Sequence, residues 1–178
     1  MREFLFRGKR KDNGKMVYGF LVMNKCSKAE NGRLIDYTRP EIIPLGEIGE
    51  ADYDGDGNYY EYTVIPETVG QYTGLTDRND TKIYDGDILR YFVWGSYECF
   101  AVVRIGEYEQ DGSGDEYPAI KIFGVYAEVK KYCPLIKEDG DYFPEYLKKS
   151  SLLEIGKDVF ELVGNIHDNP ELLKGGAE

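Results

Sequence analysis

The pattern with the clearest chemical meaning is the run DYDGDG at residues 52–57. Three alternating carboxylates with glycine at position six match the first half of an EF-hand calcium loop, in which carboxylate oxygens converge on the ion. Position twelve, where the loop needs a bidentate Glu, is Thr63, and the flanking residues look extended. The pattern predicts a weakly bound calcium ion at Asp52, Asp54 and Asp56, with a solvated acidic hairpin loop as the alternative. No other cofactor is expected.

Residues that could act as a nucleophile or a base are few. His167 is the single histidine, and it follows an expected strand, so its expected role is turn packing or a backbone hydrogen bond. Cys26, Cys99 and Cys133 are too widely spaced for a disulfide framework or a paired-cysteine zinc site, which favours a reducing cytoplasm. Cys99 falls in an expected strand and should be a core residue. The sequence does not exclude a catalytic pair of a cysteine nucleophile and a histidine base, either Cys99/His167 or Cys133/His167.

Carboxylate pairs are a further source of chemistry, because two acids that flank a small residue can serve hydrolysis or hold a metal. The chain contains 33 acidic residues, so such pairs also arise without a function. The candidate pairs are Asp85/Asp87 and Asp139/Asp141, which flank a glycine, and the adjacent acids Asp115/Glu116. The sequence has no phosphate-binding glycine loop and no dinucleotide fingerprint.

The sixteen tyrosines are informative because tyrosine is common both in strands and at protein interfaces. Strand formation explains many of them. Tyr59, Tyr60 and Tyr62 lie beside the acidic run and are the predicted binding residues, since a tyrosine ring can be buried at an interface while its hydroxyl stays hydrogen-bonded.

The net charge of -11 limits the classes of partner. A negative field repels phosphate, so nucleic acid is not an expected partner, whereas a basic host or phage protein is. The exception is the arm of residues 1–28, which carries eight Lys/Arg against two acids. No run of eighteen apolar residues and no apolar stretch of signal-peptide length is present, so neither a membrane span nor secretion is expected.

Several elements can be predicted in the first part of the chain. Residues 3–7 and 16–23 flank Asn13-Gly14, a dipeptide that adopts positive φ at low cost, and they predict a β-hairpin. Residues 24–32 predict a loop. Residues 33–45 contain two prolines and predict only short extended pieces.

The rest of the chain is organised around residues 66–90, which predict a bend at 73–75, a polar turn at 77–80 and a sharp start of a strand at Asp85-Gly86-Asp87. Further strands are predicted at 88–93, 99–108, 119–129 and 159–166. A short helix is predicted within 146–153, and a second one begins at Asn169 as N-cap and Pro170 at the first position.

Three segments resemble the YopX family, whose members are encoded largely by bacteriophages and prophages. QYTGLTDRNDTKIYDGDIL and VGNIHDNPELL resemble its two signature blocks, and REFLFRGKRKDNGKMVYG resembles its N-terminal block. A departure is Asp80, where glycine is expected in the turn. The resemblance implies a phage-derived cytoplasmic protein of a bacterial host that self-associates, and it implies no activity. The Gly, Asp and Asn residues of these blocks look like turn and cap residues.

The expected fold is a single YopX-like domain over residues 1–178 of the α+β, mainly β class. Its core, at about 66–130, is a small SH3-like barrel or a meander, with an N-terminal β-hairpin, an acidic insertion at about 30–62 and one or two short C-terminal helices. The expected function is a non-enzymatic, homo-oligomeric module for protein interaction or structure. The alternatives are an acidic decoy that inhibits a basic host protein, and a metal-dependent enzyme.

Overall fold

The computed structural model describes residues 3–44, 62–110, 119–135, 143–144 and 147–175. These residues are mainly β, which confirms the expected fold class. The strands are β1 (Phe6–Lys9), β2 (Met16–Glu30), β3 (Arg33–Pro44), β4 (Gly70–Thr76), β5 (Lys82–Tyr84), β6 (Asp87–Val93), β7 (Tyr97–Gln110), β8 (Ile120–Pro134), β9 (Lys149–Ser151) and β10 (Glu161–Asn165). Helix α1 (Leu152–Ile155) is short, and 3-10 helices span Pro66–Thr68 and Pro170–Leu173.

The chain divides into two compact units, Met1–Tyr72 and Thr73–Glu178. In the first unit the strand order is β3-β2-β1 followed by the first residues of β4, with antiparallel pairing throughout. The second unit contains the rest of β4, then β5, and a sheet of order β10-β6-β7-β8-β9. The single domain over residues 1–178 stays a prediction.

The N-terminal hairpin is confirmed. β1 and β2 pair up to Lys9 and Met16, and Gly14 adopts a φ of 69° in the turn between them. The small core of this unit is formed by Val17, Ile42 and Val64, which are buried. Its hydrophobic side chains come from β2, from β3 and from the segment that follows residue 61.

The loop predicted for residues 24–32 is wrong. β2 continues to Glu30 and pairs with β3 in unbroken register, from Gly19 opposite Pro44 to Glu30 opposite Arg33. The turn is only Asn31-Gly32, and φ is 50° and 75° at these residues. Two residues of positive φ give a turn whose twist matches that of the strands, so the hairpin can be long.

The short extended pieces predicted for residues 33–45 are in fact one strand, β3. Its two prolines, Pro40 and Pro44, do not interrupt the pairing with β2. The carbonyl of Pro40 accepts a hydrogen bond from the N–H of Val64, on the side away from β2. Alternate residues of a strand point their backbone groups to opposite sides, so the missing N–H groups of both prolines face away from β2 as well.

In the second unit, β6 to β9 form an antiparallel meander and β10 joins the other side of β6. Among the described strands neither sheet closes on itself, so the SH3-like barrel is not confirmed. The core lies against β6 and β7, and its fully or almost fully buried members include Ile83, Leu89, Tyr91, Cys99, Val103, Phe143 and Phe160.

Two short C-terminal helices are present, but their details differ from expectation. The helix predicted within 146–153 begins only at Leu152, because residues 149–151 pair as β9 with β8. The 3-10 helix has Asn169 as N-cap and Pro170 at its start, as predicted. The Asn169 side chain does not cap it and instead accepts a hydrogen bond from the N–H of Asn165, at 3.4 Å.

Candidate protein-interaction site

The long hairpin formed by β2 and β3 carries apolar side chains that solvent can reach. Ile42 is fully buried and marks the inner side of β3. On the opposite side, directly paired residues share a face, as Cys26 and Tyr37 do. We call this side the outer ribbon face; its apolar members, between 36% and 48% exposed, are Tyr18, Phe20, Ile35, Tyr37 and Ile43. Such a face can bury its apolar side chains against a partner.

The far half of the same hairpin is exposed on both sides. Every residue from Ser27 to Thr38 is exposed, and Leu34, on the side opposite the outer ribbon face, is 79% exposed. An isolated two-stranded ribbon is only marginally stable in water, because it has no third strand or helix to cover its apolar side chains. The ribbon is therefore suited to binding.

β3 is the edge strand of its sheet, and part of this edge is already paired. Thr63 forms a bridge to Glu41 on this edge, and the N–H of Ile42 donates to the carbonyl of Tyr62. The next residue, Val64, bridges to Arg10. Among the described residues, no bridge or backbone hydrogen bond continues along this edge toward Arg33. An edge with unpaired N–H and C=O groups is a template for another strand.

A groove of about 510 Å³ lies where the open part of the β3 edge meets the paired part. Tyr37, Thr38, Arg39 and Pro40 line one side of it. The other sides are lined by Lys11, Asp12, Thr63, Val64, Ile65 and Pro66. The buried hydroxyl oxygen of Thr63 has no hydrogen-bond partner among the described residues. The groove is thus a mainly apolar hollow beside the open part of the β3 edge.

One charged cluster is built into the outer ribbon face. Arg39 places Nε 2.9 Å and Nη2 2.5 Å from Oε1 of Glu41, and the Asn24 amide donates to the other oxygen of Glu41. Burial alone would lower the pKa of the Arg39 guanidinium, but the hydrogen bonds and the negative charge of the Glu41 carboxylate together outweigh burial and raise the pKa. Glu41 is only 5% exposed, so this pairing lets a buried carboxylate lie beside the apolar side chains of the face.

Most of the site residues predicted from sequence lie outside the described residues: Asp52, Asp54, Asp56, Tyr59 and Tyr60. Tyr62 is described, is half-buried, and its carbonyl accepts the hydrogen bond from Ile42. The interaction surface of β3 was not predicted. Its signal in the sequence is the Asn31-Gly32 dipeptide, which is typical of a tight hairpin turn.

A model of the YopX protein family matches residues 5–114, which is more than half of the chain. The chain belongs to the YopX family. No curated protein matches it. The crystal structure of protein EF1440 from Enterococcus faecalis is similar at 16% sequence identity and a TM-score of 0.41, and the match covers 98% of this chain and 100% of that one.

The first YopX signature block surrounds a buried carboxylate with a structural role. Asp77 is 1% exposed, and its Oδ1 accepts hydrogen bonds from the N–H groups of Asn79 and Thr81, both at 2.9 Å. Its Oδ2 accepts one from the N–H of Leu162 in β10, at 3.1 Å. Asp80 adopts a φ of 59°, so aspartate takes the left-handed conformation for which the family pattern suggests glycine. The block is therefore a folding motif.

The candidate carboxylate pair of the YopX block, Asp85 and Asp87, also takes part in a turn. Oδ2 of Asp87 accepts a hydrogen bond from the N–H of Tyr84 at 2.8 Å, and Gly86 adopts a φ of 84°. The buried Asp87 thus fixes the start of β6. Among the described residues, no group of three or more His, Cys, Asp or Glu could hold a metal ion.

In the second YopX block, the side chain of Asn165 stabilises the turn that contains His167. Oδ1 of Asn165 accepts hydrogen bonds from the N–H groups of His167 and Asp168, both at 3.0 Å, and its amide donates to Asp168 at 2.8 Å. The bond to His167 is made by its backbone N–H, so the expected role of its side chain stays a prediction. Asn165 was not singled out from the sequence.

Within the described parts of the chain, no helix has the length and hydrophobicity to cross a bilayer.

Cys99 is a core residue, as predicted. It is fully buried, and burial raises the pKa of its thiol to about 12. We expect Cys99 to resist iodoacetamide in the native protein at pH 8, because the thiolate is the reactive form. Cys26 and Cys133 are half-buried and should be alkylated first. Mass spectrometry after timed labelling, with and without urea, measures this; labelling of native Cys99 as fast as Cys26 would contradict it.

Proposed function

We propose that this YopX protein is a non-enzymatic module that assembles into a homo-oligomer and works by binding other proteins, as a phage- or prophage-encoded protein in the bacterial cytoplasm. The observation that carries the proposal is the β2–β3 ribbon, with its apolar outer face and the open edge of β3. Apolar side chains and unpaired backbone groups in one element are what a strand-mediated interface needs.

Four described residues with the chemistry of a catalyst support the same proposal, because each has a place in the fold. Asp77 and Asp87 accept hydrogen bonds from backbone N–H groups at turns. Cys99 belongs to the core of the second unit. His167 lies in a turn held by Asn165. The two carboxylates thus stabilise turns, and the Cys99 thiol is packed in the core.

The proposal predicts that wild-type protein forms an oligomer and that charges on the outer ribbon face abolish it. In the double variant Ile35→Lys/Tyr37→Lys, two ammonium groups would have to lose their water in the interface. We expect self-association to weaken about 100-fold or more. Size-exclusion chromatography with multi-angle light scattering, over a range of concentrations, measures the mass.

The control is Phe123→Lys, which removes another apolar side chain, 74% exposed, from β8 in the second unit. This variant should keep the wild-type mass. A wild-type protein that is monomeric at every concentration would contradict the proposal. Equal masses for wild type and the ribbon variant would show that the oligomer uses another surface.

Two alternatives rest on the sequence. An acidic decoy of a basic host protein follows from the net charge of -11, and its binding would collapse as salt rises, because salt screens the attraction. A weak calcium site, as a metal-dependent enzyme would need, follows from the spacing of Asp52, Asp54 and Asp56. A calorimetric titration with calcium chloride that shows no heat would remove this second alternative.

A further inference from the structure

We propose that the open edge of β3 pairs antiparallel with the same edge of a second copy of this chain, with Ile35 opposite Ile35 at the two-fold axis. This inference rests on the proposed self-association and goes further by naming the strand and its register. Because antiparallel strands of identical sequence can be related by a two-fold axis, one edge serves both copies.

The paired part of the edge shows which backbone groups point outward. The N–H of Ile42 and the carbonyl of Pro40 face the segment at residues 62–64. The pairing of β3 with β2 has no register shift, so the two-residue repeat of a strand holds along its length. The N–H and C=O groups of Leu34, Asp36 and Thr38 therefore face the open side. These are the groups that a second strand would meet.

Charge excludes one two-fold register. If Asp36 lay at the axis, it would face Asp36 of the second copy, and Arg33 would face Arg39. Like charges directly opposite each other on paired strands are destabilising. The Asp36 carboxylate already accepts a hydrogen bond from Ser27 within its own ribbon, at 2.6 Å, which holds it on its face of the strand.

Space excludes the register centred on Tyr37. There, Leu34 of the second copy would fall opposite Pro40, and the chain beyond it would fall opposite Glu41. Both positions are taken, since Val64 bonds to Pro40 and Thr63 bridges to Glu41. The second strand would collide with this segment of the first copy.

The register centred on Ile35 avoids both faults. Leu34 lies opposite Asp36 of the second copy, and each such pair exchanges two backbone hydrogen bonds, because both residues point outward. On the outer ribbon face, Ile35 meets Ile35, and Arg33 meets Tyr37, whose ring can accept the guanidinium. Apolar side chains that are now exposed would be covered, and no like charges face each other.

The groove beside the edge supports the same occupant. In this register the Asn31-Gly32 turn of the second copy comes opposite Arg39 and Thr38, two residues that line the groove. This turn is small and polar, and the groove, at about 510 Å³, has room for it.

Single cysteines test the register. Residues opposite each other at a non-hydrogen-bonded position have Cα atoms about 4.5 Å apart, within the range of roughly 4.4–6.8 Å that a disulfide needs. Ile35→Cys, in a Cys26→Ser/Cys133→Ser background, should form a reducible dimer under mild oxidation. The matched control is Leu34→Cys, which lies opposite Asp36 and not opposite itself. We expect at least about tenfold more cross-linked dimer with Ile35→Cys than with Leu34→Cys.

The mass of the Cys26→Ser/Cys133→Ser background protein is measured by light scattering in the same experiment. Self-association and the register of the β3 edge can therefore fail separately. An oligomer in which Ile35→Cys does not cross-link, or in which Leu34→Cys or Tyr37→Cys cross-links instead, overturns the register and leaves self-association intact. A background protein that is monomeric at every concentration overturns both, as it would if the edge served a strand of another protein.

Discussion

Replacing Gly19 with alanine is expected to separate β2 from β3 and to unfold the first unit. A Cβ added at Gly19 would overlap the carbonyl oxygen of Ile43 and lie 2.6 Å from its carbonyl carbon and 2.9 Å from Cα of Pro44. These are backbone atoms of the paired strand, so no side-chain rotation can relieve the clash. We expect a loss of stability of about 3 kcal/mol or more, above the usual cost of overpacking.

Hydrogen–deuterium exchange, read by mass spectrometry for each peptide, measures this loss where it occurs. Peptides of β2 and β3 in Gly19→Ala should exchange faster than in wild type, because their paired N–H groups become accessible. The control is Gly106→Ala in β7, where an added Cβ has no atom within 4 Å. Unchanged protection of β2 in Gly19→Ala would show that the strands can shift to accept the methyl group.

Replacing Asp77 with asparagine is expected to destabilise the second unit by about 2–3 kcal/mol at neutral pH. Asparagine can accept the hydrogen bonds of Asn79 and Thr81 with its oxygen, but its NH₂ group then faces the N–H of Leu162. Two donors would meet where a donor and an acceptor met before, and β10 would lose its hydrogen bond to the turn. The result would confirm that the signature block stabilises the fold by joining the turn at residues 77–81 to β10.

The same carboxylate makes stability depend on pH. Burial alone would raise the pKa of Asp77, but the N–H groups of Leu162, Thr81 and Asn79 stabilise the charged form more, and the pKa lies below its ordinary value of 3.8. A carboxyl group whose pKa is lowered by folding contributes stability above its unfolded pKa. Stability from Asp77 should thus be complete above about pH 5 and decline as the pH falls through 3.8 and below.

Urea denaturation at pH 7 and between pH 5 and pH 3 measures both effects. Trp94, the single tryptophan, lies in the second unit and provides the fluorescence signal. The control is Asp80→Asn in the same turn, because asparagine also tolerates a positive φ. The exposed side chain of Asp80 contacts Lys157 at 3.3 Å, and an exposed ion pair of this kind contributes little stability. If Asp77→Asn had the same pH slope as wild type, the assigned role of Asp77 would be wrong.

The elements that sequence reasoning found are those whose cause is local. The turn at Asn13-Gly14 and the strand start at Asp85-Gly86-Asp87 depend on a few neighbouring residues that accept positive φ or bond to the backbone. The far half of the β2–β3 ribbon was missed because both of its faces are exposed to solvent there. Residues 24–30 therefore show no alternation of apolar and polar side chains, which is the usual signal of a strand.

The candidate site was missed for a different reason. An open edge depends on which strand ends the sheet, and a groove depends on segments that meet only in the folded chain, such as residues 37–40 and 63–66. The role of Asp77 likewise depends on Leu162, which is 85 positions away. The sequence shows a polar turn at Asp77, but its distant partner follows only from the tertiary structure.

The tight Asn31-Gly32 turn has a consequence for synthesis. Contacts between β2 and β3 are local, so this ribbon can close from its turn in about 1–10 µs. The sheet of the second unit forms later, because β6 cannot pair with β10 until residues 161–165 have been synthesised. The chain leaves the ribosome N-terminus first, at about 5–20 residues per second. The edge of β3 is therefore exposed for seconds before the second unit is complete, so the pairing that we propose would be able to begin between two nascent chains on one messenger RNA.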